Sequence, residues 1–143
     1  MRSFIGLIFV ALLTVAIGCV TADPPDQSRC NPAPPELAAQ IARGLTAGGS
    51  SCIERVYTVK NNDGRPWSFI GGAIYAPGMD GEVAVWATQS LDLDNQPILL
   101  AADTMAAEFS AWDFPSGGKD RFGDQFNDEI KAAKWCASTD ANG

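Results

Sequence analysis

Four carboxylates in the C-terminal third of the chain have residue types that could do chemistry: Glu108, Asp113, Asp120 and Asp124. Two carboxyl groups across a cleft can hydrolyse glycosidic bonds, one as acid and the other as base or nucleophile. No spacing among these four requires any two to face each other. Helix capping or solvation explains each of them, so the sequence does not predict catalysis there.

The residue type that most often activates nucleophiles is missing. Histidine does not occur among the 143 residues, which removes Ser-His-Asp and Cys-His arrangements and most zinc or haem sites. Asp92 and Asp94 alternate as the first ligands of a calcium loop do, but the glycine and the distal glutamate are absent, so a hairpin turn is favoured. We expect no enzyme activity, no metal site and no cofactor.

The charge balance is acidic, with 10 Lys and Arg against 17 Asp and Glu. An acidic surface repels phosphate backbones, so we expect no binding to nucleic acid.

The first residues have the pattern of an export signal. Arg2 precedes an apolar run from Phe4 to Ile17, which is shorter than the ~20 apolar residues of a membrane span and suits a signal peptide. The run ends in Ala16-Ile17-Gly18-Cys19, which resembles the lipobox of bacterial lipoproteins. That resemblance implies cleavage before Cys19 and acylation of its sulfur, and two acyl chains anchor a protein stably.

Two other outcomes remain open for this leader. Val20-Thr21-Ala22 resembles an ordinary secretory cleavage site, which would release a secreted protein. An uncleaved anchor from Phe4 to Val20 is the third possibility.

The sequence then predicts four segments. These are a signal peptide over residues 1–18, a proline-rich membrane tether over 19–35, one domain over 36–137 and a flexible tail over 138–143. The domain has ~100 residues, enough for one hydrophobic core.

Within the domain, apolar periodicity and turn signals predict an α+β fold. We expect an antiparallel four-stranded meander, with an N-terminal helix and one or two C-terminal helices packed on one face. The predicted helices span residues 35–46, about 105–112 and 124–137, and the predicted strands span 52–60, 67–75, 82–88 and 98–102.

The second predicted strand has apolar residues on both sides. Phe69 alternates with Ile70 and Ile74, while Gly71-Gly72 predicts a bulge or a close backbone approach. Either another segment of the chain covers the second side, or that side is a contact surface.

Cys30, Cys52 and Cys136 are the disulfide candidates. In an oxidising compartment two of them are expected to pair, which leaves one thiol over. We favour Cys52–Cys136, because Cys52 begins the first predicted strand and Cys136 lies near the apolar stripe of the last helix. Pairing of Cys30 with either of the others remains open.

Trp112, Asp113 and Phe114 form the best candidate for a partner-binding loop. They precede Pro115 and a glycine-containing turn, and aromatic residues in such loops often anchor recognition.

The strings SFIGGAIY, EVAVWAT and AAEFSAWDFP, followed by a helix ending in cysteine, resemble small exported lipoproteins of actinobacteria and their phages. The resemblance covers about Leu37 to Cys136 and implies location and fold more than activity. Three hypotheses follow: a lipid-anchored envelope protein that binds a protein partner without catalysis, a phage-encoded envelope protein that excludes a second phage, and a small hydrolase that uses carboxylates.

Overall fold

The structure, a computed structural model, describes residues 26–95, 98–113 and 122–138. These residues form an α+β domain around a five-stranded antiparallel sheet of order β1-β2-β3-β4-β5. The strands are β1 (Asn31–Pro32), β2 (Cys52–Lys60), β3 (Ser68–Ala76), β4 (Met79–Thr88) and β5 (Leu99–Ala101). The helices are α1 (Pro35–Arg43), α2 (Thr104–Phe109) and α3 (Asn127–Ser138).

The antiparallel α+β fold is confirmed, and the sheet has one strand more than expected. The additional strand, β1, pairs with Tyr57 and Thr58 of β2. It has two residues, one of them proline, so it shows no alternation and gives no strand signal. It lies in the segment predicted as tether, which is therefore packed on the domain from Gln27 onward.

The expectation that the helices pack on one face of the sheet is wrong. On one side, which we call the α3 face, Val59, Phe69 and Val85 pack against α3. The opposite side, which we call the α1/α2 face, presents Ile70, Ile74 and Trp86 to the other two helices. Strand β3 is apolar on both sides because helices cover both sides.

The N-terminal part of the chain closes the α1/α2 face. Leu37 and Ile41, one turn apart on α1, are fully buried there, as is Ala106 of α2. The ends of the two helices are joined, because Thr46 N–H donates to the carbonyl of Phe109 at 2.9 Å and Ala111 N–H donates to that of Gly44 at 2.7 Å.

Gly71 lets α3 approach the sheet closely. A Cβ atom at this position would overlap the backbone carbonyl of Ala133. The predicted close backbone approach is confirmed here, and only glycine leaves room for it.

A bulge in β2 aims one arginine at the end of α3. The register shifts between Glu54 and Tyr57, and Arg55 has a φ of 49°, which is uncommon for a residue with a Cβ. Its Nε donates to the carbonyl of Ala137 at 2.8 Å and its Nη1 donates to the Tyr75 hydroxyl at 2.9 Å. A cation at a helix C-terminus is favourable, and it satisfies one of the last carbonyls.

Candidate functional site

Cys19, Phe114 and Asp120 lie outside the described residues, as do the predicted signal peptide, residues 19–25 of the predicted tether and residues 139–143 of the predicted tail. The other candidate site residues can be placed on the fold.

The disulfide joins Cys30 to Cys136. The favoured pairing of Cys52 with Cys136 is wrong, and the alternative that used Cys30 is confirmed. Pairing of β1 with β2 brings Cys30 against the α3 face, where Cys136 is fully buried. Cys52 begins β2 opposite Tyr75 and is an exposed free thiol. Strand β1, which brings Cys30 to Cys136, has two residues and gives no strand signal in the sequence.

In the predicted partner-binding loop, Trp112 packs on the domain and Asp113 is exposed to solvent. The Trp112 indole is half-buried and lies over Gly44, where a Cβ would overlap its ring. Its Nε1 is shielded from solvent and has no hydrogen-bond acceptor within the described residues. Asp113 is exposed, while its carbonyl accepts from Ala101 N–H at 3.0 Å. This segment therefore runs along the outer side of β5.

The neighbouring indole of Trp86 has a partner. Trp86 Nε1 donates to Ser110 Oγ at 3.1 Å, and that hydroxyl donates to the carbonyl of Ala106. This buried chain of hydrogen bonds ties α2 to β4, so Trp86 has a structural role.

Three contacts hold the carboxylate of Asp103 in place. Its Oδ1 accepts from Ala106 N–H at 2.8 Å, which caps α2, and from Val85 N–H at 3.2 Å. Its Oδ2 lies 2.9 Å from Lys134 Nζ of α3, and the side chain is 9% exposed. Asp103 therefore connects α2, β4 and α3.

The other carboxylates have separate positions. Glu108 is exposed on α2 and Asp113 follows that helix, whereas Asp124 precedes α3. Asp94 N–H donates to Asp92 Oδ1 at 3.0 Å, which is a local turn rather than a ligand arrangement. Over residues 26–95, 98–113 and 122–138, no group of three or more acidic or cysteine side chains could hold a metal ion.

One cleft of about 280 Å³ opens between the start of α2 and the start of α3. Its lining includes Asp103, Thr104, Asp124, Asn127 and Ile130. The carboxylates, hydroxyl and amide can hydrogen-bond a small polar group. One of the two carboxylates, Asp103, pairs with Lys134.

The turn between β2 and β3 is fastened to the start of α3 by Arg65. The guanidinium pairs with Asp63, its Nη1 donates to Gln125 Oε1 at 2.9 Å, and it lies 4.0 Å from the centre of the Phe126 ring. Hydrogen bonding to Arg65 lowers the pKa of the Asp63 carboxyl from its ordinary value of 3.8. These groups are exposed, so the cluster orients a loop and adds little to stability.

No family model matches the chain, and neither the curated proteins nor the solved structures include a match. Among the described residues, none of the helices is both long enough and apolar enough to cross a membrane.

Proposed function

We propose that this chain is a lipid-anchored protein of the cell envelope whose domain is a binding module. The observation that carries the proposal is the Cys30–Cys136 disulfide. Disulfides persist in oxidising compartments and are rare in the cytosol. The bond therefore agrees with the export signal that the first residues resemble.

The anchor in this proposal is an acylated Cys19, which places the domain close to a membrane. The distance from Cys19 to Asp26, seven residues along the chain, cannot exceed about 25 Å when the chain is fully extended. A domain tethered this closely meets other envelope proteins at high effective concentration.

Binding in this proposal involves Trp112, Asp113 and Phe114, with an envelope protein as the partner. Half-burial holds the Trp112 ring in place, and a rigid aromatic next to exposed polar groups suits recognition. Alanine at Trp112 would also remove packing over Gly44, so Phe114→Ala and Asp113→Asn are the better variants for a binding assay.

The anchor is tested by a pair of cysteine variants in the native host. Cys19→Ser should move the protein from the membrane fraction to the soluble fraction or the medium. Cys52→Ser, the matched control, changes an exposed thiol and should leave the protein in the membrane fraction. Membrane retention of Cys19→Ser at the level of the control would contradict the proposal.

The non-catalytic part is tested at the carboxylates. Purified protein should not hydrolyse envelope polysaccharide, and Asp113→Asn and Asp124→Asn should therefore change no activity. A hydrolytic activity that either variant abolishes would show that the protein is an enzyme.

A further inference from the structure

The charges of this chain are divided unequally between two parts of the domain. The described residues of 26–65 and 122–138 contain seven acidic and seven basic residues, so they balance. Residues 66–113 contain seven acidic residues and no lysine or arginine. The acidic ones are Asp80, Glu82, Asp92, Asp94, Asp103, Glu108 and Asp113.

The fold places much of this acidic stretch along one side of the sheet. After the central strand β3, the chain forms β4, the edge strand β5 and α2, which packs on those two strands. We use the name β5 edge for the surface made by the turn over residues 90–94, by Ile98 with β5, by the outer side of α2 and by residues 111–113. Asp94, Glu108 and Asp113 are exposed on it.

The same surface presents apolar side chains. Ile98, just before β5, has 70% of its surface exposed. Among the described residues it is the one large hydrophobic side chain that is exposed. Leu91, Leu93 and Met105 are half-buried against the core of the α1/α2 face. An apolar centre with a charged rim is the composition of a protein interface.

The opposite edge of the sheet is formed by β1 and lies next to the disulfide. Strand β1 ends in Pro32, which has no N–H to offer to another strand. Next to it, Cys30 is bonded to Cys136 and Arg29 lies 3.7 Å from Glu129. The tether enters the domain here, and four strand spacings, about 19 Å, separate this edge from β5. An anchored molecule therefore holds its β5 edge on the side away from the point of attachment.

We propose that the β5 edge binds a basic segment of a partner protein, with an apolar side chain of that segment packed against Ile98. This inference rests on the proposed binding function and adds the surface and the chemistry of the partner. The acidic rim attracts lysine and arginine and raises the rate of association, while burial of Ile98 supplies affinity. Of the basic residues that the structure describes, Lys134 pairs with Asp103 and Arg43 lies at the end of α1, whereas Lys119 and Arg121 lie outside the described residues.

Site-specific photo-crosslinking of the full chain in its native envelope tests this placement. A photoreactive phenylalanine derivative replaces Ile98 or Glu108 on the β5 edge, or Glu36 or Glu54 on the charge-balanced part as controls. All four positions are exposed, so the fold tolerates them, and an unchanged thermal midpoint verifies this.

The expected result is an adduct from positions 98 and 108 that positions 36 and 54 do not give. Mass spectrometry of the adduct should identify a partner peptide with lysines or arginines beside an apolar residue. Adducts from positions 36 and 54 alone, or equally from all four, overturn the inference but leave the binding function standing. No adduct from any position contradicts both, and an adduct with a second copy of this chain overturns the stated partner chemistry.

The role of the acidic rim is tested separately, with the photoreactive residue at position 98. The pair Glu108→Gln and Asp113→Asn should lower the adduct yield ~fivefold, as should salt raised to about 0.5 M. The matched pair Glu36→Gln and Glu54→Gln should leave the yield unchanged. An equal loss in both pairs, or in neither, contradicts the role of the acidic rim.

Discussion

At the residue scale, Gly71 determines how closely α3 packs on the sheet. Gly71→Ala would place a Cβ against the Ala133 carbonyl, and backbone cannot move aside as a side chain can. We expect a loss of about 2–4 kcal/mol in the free energy of unfolding, measured by chemical denaturation. Gly72→Ala is the control, because its Cβ would meet the flexible end of Ile53 and should cost less. Equal losses would show that α3 can shift outward freely.

The cysteines make a second prediction at this scale. Cys30→Ser opens a link between residues 106 apart in the sequence, which in the chain-entropy model lowers the free energy of unfolding by about 4–5 kcal/mol. Cys52→Ser should change it little, since that side chain is exposed and free. Denaturation of the two variants without reductant compares them directly. A larger loss in Cys52→Ser would contradict the observed pairing.

At the element scale, the link between the β2–β3 turn and α3 should depend on pH. Pairing with Arg65 lowers the pKa of Asp63, so its contribution to stability is complete above pH 3.8 and is lost as the pH falls through the lowered pKa. The difference in thermal midpoint between the natural protein and Asp63→Asn should therefore be constant near neutral pH and shrink as the pH falls below 3.8. Arg65→Gln removes the cause and should show the same pH dependence as Asp63→Asn. A difference that grows on acidification would contradict this origin.

The elements also show what could be predicted from sequence. The four longer strands are apolar-rich runs bounded by glycine and asparagine turns, and Asp103 has the residue type and position of a helix cap, so these elements could be predicted. The pairing of β1 depends on backbone contacts made far along the chain, which no local pattern contains. The predicted disulfide was wrong for the same reason, since only β1 brings Cys30 to Cys136.

At the scale of the whole molecule, the uneven distribution of charge along the sequence is a signal that no single residue shows. The absence of lysine and arginine from residues 66–113 is visible without a structure. Its meaning depends on the sheet order, which gathers β4, β5 and α2 at the edge opposite β1. The same order explains why the apolar alternation of β3 is not a contact surface, because α3 covers one side and α1 with α2 the other.

The central claim, an exported domain held at a membrane by a lipid, is tested most directly by the intact mass of the native protein without reduction. We predict a chain that begins at Cys19, carries added acyl mass and has lost two hydrogens for one disulfide. A chain that begins at Asp23 without lipid, or one that retains Met1, would contradict the anchor. A mass without the loss of two hydrogens would contradict the oxidising location on which the proposal depends.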